Sequence, residues 1–362
     1  HRLFRLHSWL KPLSLDCPSV LMNAPRSIVI VKLSAIGDVI HGIPTAVALK
    51  QSFPDSTISW VVEGRSADVL AGHNAVDHLF RLPRGWLKSF QQVLKLRQQL
   101  RKFQADAVID LQGLFKSGVA TLLAGSRLRI GHAKPESREG AWIAYTDPIL
   151  STSEHVVERN LDLLRPLGIE KKTFGFDMPT WPVSQRRIEK WLSQLQFQAS
   201  PIIINPGAGW TSKQWAPDRF ATFAKAVWQK HRVESLVVWG GSEEEKIAKV
   251  IVEKAGRGTK LAPATTLQDL GELCRKARLF ISGDTGPLHL AAAVGTPCVG
   301  LFGPVPAARN GPYGKTHIVI EPPSTVRPHW KDRKTDTESM AAITVEQVLA
   351  AVEPGLSRTN AA

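Results

Sequence analysis

Cysteine is scarce in this chain of 362 residues, which contains 3 of them. Cys17, Cys274 and Cys298 lie far apart and form neither a CxxC motif nor a cluster with histidine. A disulfide framework or a structural zinc site requires closely spaced sets of such residues. The sequence therefore argues against both kinds of site and favours a reducing compartment.

Long apolar runs are also lacking, since none reaches the roughly 18 residues that a membrane span needs. Near the amino terminus, Arg2, Arg5 and Lys11 interrupt the apolar residues, so no secretory signal peptide is predicted. We expect residues 1–21 to lie upstream of the natural start at Met22, or to form a poorly ordered extension. The alternative is a short amphipathic arm that touches a membrane.

The common nucleotide fingerprints are missing too. There is no Walker A loop, and the turn after the first apolar run has only Gly37 where a GxGxxG fingerprint has three glycines. This counts against an NAD-dependent oxidoreductase. No Asp-x-Asp motif stands near the candidate site residues described below, so the sequence predicts neither an obligatory metal nor any other cofactor.

Positive charge is in excess. The chain has a formal net charge of +14, and residues 26–134 contain 15 Lys and Arg against 7 Asp and Glu. Such a surface suits an anionic partner: nucleic acid, an acidic membrane surface or a phosphorylated substrate. The aromatic and basic modules of nucleic-acid-binding proteins are absent, so we do not predict nucleic-acid binding.

Two halves of the chain alternate strand-like and helix-like segments, which predicts an α/β fold with two open parallel sheets. The predicted domains are residues 22–180 and 181–335, followed by a C-terminal helix and tail at 336–362. Ligands of such sheets bind outside the carboxyl ends of the strands, so the cleft between the domains is the expected site. The predicted strands are 28–33, 57–62 and 105–110 in the first half, and 201–204, 235–239 and 278–281 in the second.

Three turns in the second half follow predicted strands and suit a nucleotide. Residues 205–215 combine glycines, the hydroxyls of Thr211 and Ser212, and the positive charge of Lys213. Residues 240–245 bring glutamates to a helix start. There a glutamate could bind ribose hydroxyls, or it could only stabilise the helix through its dipole. Residues 283–289 join backbone N–H groups at a helix start to a hydroxyl and an imidazole, as a diphosphate requires. The alternative for that turn is that Asp284 or Thr285 only caps the helix.

Asp38 is the most interesting acidic residue of the first half. It stands at the first strand-to-helix turn, which faces the cleft in the predicted fold. One interpretation is a general base that takes a proton from an attacking hydroxyl. The other is an ordinary helix N-cap. The residues alone leave both open.

Five motifs follow one another along the chain: KLSAIGDVIH at 32–41, DLQGLFKS at 110–117, HVVERN at 155–160, PGA to KQW at 206–215, and GDTGPLH at 283–289. In these motifs and their order the chain resembles family 9 glycosyltransferases, and within them the heptosyltransferase I subgroup. This resemblance implies a GT-B fold, in which two Rossmann-like parallel-sheet domains face a central cleft. It also implies an inverting transfer of heptose from ADP-heptose to a Kdo residue of Kdo2-lipid A.

The resemblance implies roles for individual residues as well. Asp38 corresponds to the general base and Lys213 to the cation that steadies the leaving diphosphate. Glu244, with Glu243 one residue away, corresponds to the ribose-binding glutamate. The remaining donor positions are Thr211, Ser212, Asp284, Thr285, Gly286 and His289.

Basic residues of the first half correspond to the acceptor side, where they meet acidic sugars and phosphates. They are Arg84, Lys88, Lys116 and Arg138. A lipid acceptor implies peripheral contact with the anionic cytoplasmic face of the inner membrane. Two alternatives remain: heptosyltransferase II or another family member with a different acceptor, and a nucleotide-binding protein without catalysis. The presence of both Asp38 and Lys213 argues against the latter.

Overall fold

A computed structural model describes residues 24–170 and 173–356; the predicted N-terminal extension lies outside this part of the chain. Two sheets of six parallel strands each form the framework, with strand orders β3-β2-β1-β4-β5-β6 and β12-β11-β10-β7-β8-β9. The prediction of two parallel-sheet α/β domains is confirmed. The strands are β1 Ser27–Val31, β2 Thr57–Glu63, β3 His78–Leu82, β4 Ala107–Asp110, β5 Leu128–His132, β6 Asp147–Ile149, β7 Ile202–Asn205, β8 Ser235–Val237, β9 Thr259–Leu261, β10 Leu279–Gly283, β11 Cys298–Leu301 and β12 Ile318–Ile320.

Both sheets have the same topology. Each begins with its central strand, β1 or β7, builds outward to one edge, and then returns to add β4 or β10 on the other side. The strand order therefore reverses between β1 and β4 and between β7 and β10. A crevice opens at such a reversal beyond the carboxyl ends of the strands, where doubly wound sheets bind ligands.

Helices cover the sheets, which explains why the central strands are apolar on both faces. In β1 and β7 every residue except Ser27 is buried. The helices are α1 Ile36–Ser52, α2 Phe90–Phe103, α3 Phe115–Ala124, α4 Val156–Asp162, α5 Pro182–Leu195, α6 Pro217–His231, α7 Ser242–Ala255, α8 Leu267–Arg275, α9 Gly286–Ala293, α10 Ala307–Asn310 and α11 Val345–Leu356.

The start of α1 corrects one interpretation from the sequence. The helix begins at Ile36, so Asp38 is its third residue and Ala35 occupies the N-cap position. The Asp38 carboxylate accepts a hydrogen bond from the Ala35 backbone N–H at 3.0 Å. Alanine has no side chain to cap the helix, and Asp38 instead binds the N-cap amide from inside the first turn.

The first sheet lies within residues 27–149 and the second within 202–320. The predicted boundary at residues 180 and 181 falls between them and stays a prediction, as do the roles assigned to the two domains. Helix α1 of the first part packs closely on α9 of the second. A Cβ atom on Gly37 would lie 2.7 Å from the His289 ring, so this close approach requires glycine. The amino-terminal ends of α1 and α9 therefore meet in the cleft.

Within the described residues, no helix is both long and apolar enough to cross a membrane.

Candidate active site

A cavity of about 290 Å³ lies where α1 and α9 meet, bounded by both domains. The first domain contributes the turn and first helical residues after β1; the second contributes the turns after β7 and β10. This is the location that the strand-order reversals indicate. The lining residues are Ala35, Gly37, Asp38, His41, Asn205, Gly207, Ala208, Gly209, Trp210, Lys213, Glu244, Asp284, Thr285, Gly286, Pro287, His289 and Asn310.

The turn between β10 and α9 presents a helix start to the cavity. Thr285 is the N-cap of α9, and its Oγ1 accepts a hydrogen bond from the Leu288 N–H at 3.3 Å. Asn205 Nδ2 donates to Ser282 Oγ at 2.8 Å and to Thr285 Oγ1 at 3.3 Å. Capping and cavity lining thus coexist at Thr285, and the network holds the turn in place. The free N–H groups of α9 and its dipole make this end of the cavity favourable for an anion.

Lys213, Asp284 and His289 form a charged group at the same end. Lys213 Nζ lies 2.5 Å from Asp284 Oδ2, and His289 Nε2 lies 3.3 Å from Asp284 Oδ1. Burial opposes ionisation of Asp284, but the hydrogen bond and charge of His289, together with Lys213, hold its pKa below the usual range. Asp284 is therefore a carboxylate that positions a cation beside the start of α9.

Glu244 also lines the cavity. Its Oε2 accepts a hydrogen bond from the Gly240 N–H at 2.8 Å. Burial raises the pKa of the carboxyl, and the bond from Gly240 partly opposes that effect. A Cβ atom on Gly207 would lie 2.3 Å from Glu244 Oε1, so a larger residue there would displace this carboxyl. The neighbouring Glu243 is exposed and pairs with Lys246, so Glu244 is the glutamate at the cavity.

Thr211 and Ser212 do not line this cavity. They belong to the short 3-10 turn Thr211–Lys213 and face a neighbouring cavity of about 480 Å³ beside Lys334. Only Lys213 of this turn reaches the cavity between the domains. The expectation that all three contact the donor stays a prediction for Thr211 and Ser212.

The predicted acceptor residues lie outside the cavity, near the carboxyl edge of the first sheet. Glu63 at the end of β2 joins two of their segments, because it accepts hydrogen bonds from the Gly85 N–H at 3.2 Å and from Lys116 Nζ at 3.4 Å. Arg84 and Lys88 flank Gly85, and both are exposed. Arg138 is also exposed, and its N–H donates to the Gly113 carbonyl at 2.8 Å. Arg84, Lys88 and Arg138 are exposed cations that an anionic group can reach, whereas Lys116 is paired with Glu63.

The structure adds four cavity residues with polar side-chain atoms that the sequence did not single out as ligands. His41 is buried, and its Nε2 has no hydrogen-bond partner within the described residues. Burial and the nearby His289, His155 and Lys32 hold the pKa of His41 well below its ordinary value, so the imidazole is neutral. The spacing of His41 from Asp38, almost one helical turn, was the available signal. The other three are Asn205, Trp210 and Asn310.

Trp210 carries a cation on its ring. Lys213 Nζ lies 4.4 Å from the ring centroid, and the Arg333 guanidinium lies 5.6 Å from it. Arg333 also stacks on Trp330 at 3.9 Å. Contacts of this kind orient a cation without neutralising it. Trp210 is therefore a second support for Lys213, beside Asp284.

Among residues 24–170 and 173–356, no group of three or more His, Cys, Asp or Glu side chains is arranged to hold a metal ion.

Comparison with known proteins assigns the class. Residues 93–339 match the family described as glycosyltransferase family 9 (heptosyltransferase). The chain belongs to this family and is a glycosyltransferase.

Individual relatives share about a quarter of their aligned residues with this chain. The chain is similar to the lipopolysaccharide core heptosyltransferase OpsX of Haemophilus influenzae, with 25% identity over 343 residues that cover 90% of this chain and 96% of the relative. It is also 26% identical to lipopolysaccharide heptosyltransferase 1 of Escherichia coli over 307 residues, or 82% of this chain and 93% of that protein.

Solved structures show the same fold. A family 9 glycosyltransferase from Veillonella parvula matches with a TM-score of 0.76 at 22% identity, covering 92% of this chain and 98% of the other. E. coli heptosyltransferase WaaC with ADP-2-deoxy-2-fluoro heptose matches with a TM-score of 0.72 at 24% identity, covering 91% and 99%. The GT-B prediction is confirmed.

Proposed function

We propose that the protein is an inverting heptosyltransferase of lipopolysaccharide core synthesis, which moves L-glycero-D-manno-heptose from ADP-heptose to a Kdo residue of Kdo2-lipid A. One observation carries the proposal. A carboxylate from one domain, Asp38, shares a cavity with a lysine and a helix start from the other. A base and a leaving-group site from different domains can act on two sides of one anomeric carbon, as a single displacement requires.

The donor half of the proposal rests on the second domain. The α9 start and Lys213 are suited to the diphosphate, and Glu244 to the ribose hydroxyls. The solved WaaC structure similar to this chain contains ADP-2-deoxy-2-fluoro heptose, a sugar nucleotide of the proposed class. Negative charge grows on the leaving phosphate in the transition state, where a fixed cation and N–H groups stabilise it most.

The acceptor half rests on the first domain. In the proposed reaction Asp38 takes the proton from an acceptor hydroxyl while that oxygen attacks the anomeric carbon from the face opposite the phosphate. The transition state has oxocarbenium character, as in carboxylate-assisted glycoside chemistry. Arg84, Lys88, Lys116 and Arg138 supply charge for an acidic acceptor.

The proposed acceptor is a membrane lipid, so the proposal includes peripheral contact with the cytoplasmic face of the inner membrane. The basic excess of residues 26–134 supports this. The proposed chemistry uses Lys213 as the leaving-group cation and no metal; transfer should therefore proceed at an unchanged rate in excess EDTA.

The test is an assay with ADP-heptose in which ADP release and lipid mass are read together. Kdo2-lipid A and the same lipid already carrying one heptose are offered separately. The proposal predicts ADP release and a heptose-sized mass gain with the first acceptor. Transfer only to the second would show a heptosyltransferase II acceptor instead. ADP binding without transfer to either would show a nucleotide-binding protein.

A further inference from the structure

Two aromatic side chains are exposed at the starts of two neighbouring helices of the first domain. Phe90 begins α2 and is 75% exposed, and Phe115 begins α3 and is 53% exposed. Both helices pack on the same face of the first sheet through one apolar cluster that includes Leu96, Leu100 and Ala120. They run in the same direction, since each leads from the carboxyl end of one parallel strand to the next.

The relative height of the helices follows from a contact at their other ends. The Arg101 guanidinium covers Gly125, the residue after α3, so closely that a Cβ there would overlap it. Phe90 precedes Arg101 by 11 residues, and Phe115 precedes Gly125 by 10. With about 1.5 Å of rise per residue in each helix, this contact places both aromatic residues at the same end of the helix pair. Glu63 further joins the turn before α2 to Lys116.

Basic residues flank these aromatic residues, although one carboxylate also lies there, since the Phe115 N–H donates to Glu139 Oε2 at 3.3 Å. Helices α2 and α3 together contain five basic residues and no acidic one. Leu94, which is 43% exposed, and Arg97 follow Phe90 at helical spacing, so they share its face of α2. Lys88 precedes α2, and Lys116 follows Phe115; both are exposed. We call Phe90, Leu94 and Phe115, with Lys88, Arg97 and Lys116, the docking surface.

The position of the docking surface links it to the active site. Helices α1, α2 and α3 all begin at the carboxyl edge of the first sheet, because each follows a strand that ends there. The start of α1 carries Asp38. A flat anionic layer against the docking surface would therefore lie on the same edge of the domain as the proposed base.

Exposed phenylalanines with exposed lysines and arginines nearby combine the two contributions that bind a peripheral protein to a charged lipid surface. A neutral apolar partner would gain no binding energy from the cations, and a soluble anion would gain none from the phenylalanines. We infer that the docking surface inserts Phe90 and Phe115 into an anionic lipid bilayer, and so brings the cleft to its lipid acceptor. The role in acceptor delivery rests on the proposed function; lipid binding itself does not.

The test is co-sedimentation with vesicles of phosphatidylcholine alone or mixed with phosphatidylglycerol. The wild type should bind the mixed vesicles and release them as NaCl rises, because salt screens the lysines and arginines. The double variant Phe90→Ser/Phe115→Ser should lose about tenfold or more in partitioning. Arg97→Gln should lose about fivefold, the usual effect of one basic residue at such a surface.

Matched variants lie on the second domain. Val183→Ser removes a 68% exposed apolar side chain from α5, and Lys225→Gln an exposed charge from α6. Both should sediment as the wild type does. ADP affinity should be equal in all variants, which shows that the cavity is intact.

Several results would overturn the inference. They are equal binding of the wild type to both kinds of vesicle, equal loss in the matched variants, and a shift from dimer to monomer in Phe90→Ser/Phe115→Ser as the only effect. The last would make the surface a contact between copies of the chain.

Transfer to a water-soluble Kdo acceptor should be unchanged in Phe90→Ser/Phe115→Ser, while transfer to vesicle-embedded Kdo2-lipid A falls. Vesicle binding without any transfer would refute the proposed function and leave the docking surface standing.

Discussion

Replacing Lys213 by methionine should separate the stabilising role of its ion pair from its role at the leaving group. The side chains of Lys213 and Asp284 are only 15% and 10% exposed. Lys213→Met therefore leaves a buried carboxylate whose main remaining partner is His289, at 3.3 Å. Removing one partner of a buried pair costs about 3–5 kcal/mol. Because His289 remains, we expect about 3 kcal/mol less free energy of unfolding.

The double variant Lys213→Met/Asp284→Asn should recover part of that loss. The amide leaves no unpaired charge, so the coupling between the two substitutions should be about 1–2 kcal/mol. Turnover should not recover. Loss of one preorganised group at a developing negative charge lowers kcat about 10²–10³-fold, and asparagine supplies no cation.

Urea denaturation and kcat for ADP release, measured on both single variants and the double variant, test this reasoning. The exposed pair of Lys254 and Asp218 is the control, since its side chains are 53% and 71% exposed. Lys254→Met should change the stability by less than about 1 kcal/mol. Additive stability losses in the double variant, or a recovered kcat, would refute the account of Lys213.

Three further predictions concern other parts of the site and fold. Burial and Lys32 lower the pKa of His132 from 6.5 to about 4; the unfolded chain then binds the extra proton first, so stability should fall as the pH drops below about 6.5. Between about pH 7 and pH 5, His132 should account for a loss of about 2 kcal/mol in the free energy of unfolding. Urea titrations of His132→Asn should lack this contribution. Trp210→Ala should lower kcat about tenfold, because it removes the ring that orients Lys213. Trp210→Phe keeps a ring beneath the cation and should retain more of the activity. Equal kcat values in the two variants would show that the ring contact does not contribute to turnover. Gly207→Ala should push Glu244 aside and weaken ADP binding about tenfold in calorimetry, with Gly355→Ala as the control, since a Cβ there meets open space and Gly355 does not line the cavity.

Much of the fold was predictable because parallel strands buried on both faces read as continuous apolar runs. The runs at β1, β7 and β10 each lie within two residues of the observed strands. Edge strands such as β3 and β12 are half-exposed and carry a weaker pattern. The start of α1 was misjudged for a different reason. Its N-cap is Ala35, whose side chain gives no capping signal.

The site was predictable where function and local chain geometry coincide. The residues after β10 lie at a strand end and a helix start, so their sequence alone points to an anion site. The choice between Glu243 and Glu244 depends on which side of α7 faces the cavity, and the close passage of Gly207 decides it only in three dimensions. The placement of Phe90 and Phe115 at the same end of two neighbouring helices depends on helix packing between distant segments. No spacing in the sequence contains that information.

Heptose transfer by Asp38→Asn, with ADP affinity measured in parallel, tests the central claim most directly. Asparagine can still accept the hydrogen bond from the Ala35 N–H, so the start of α1 should remain intact. With ADP-heptose and Kdo2-lipid A, the account predicts a rate loss of about 10²–10⁴-fold and an unchanged dissociation constant for ADP. A variant that transfers heptose at the wild-type rate, or that loses ADP affinity as far as it loses activity, would contradict it.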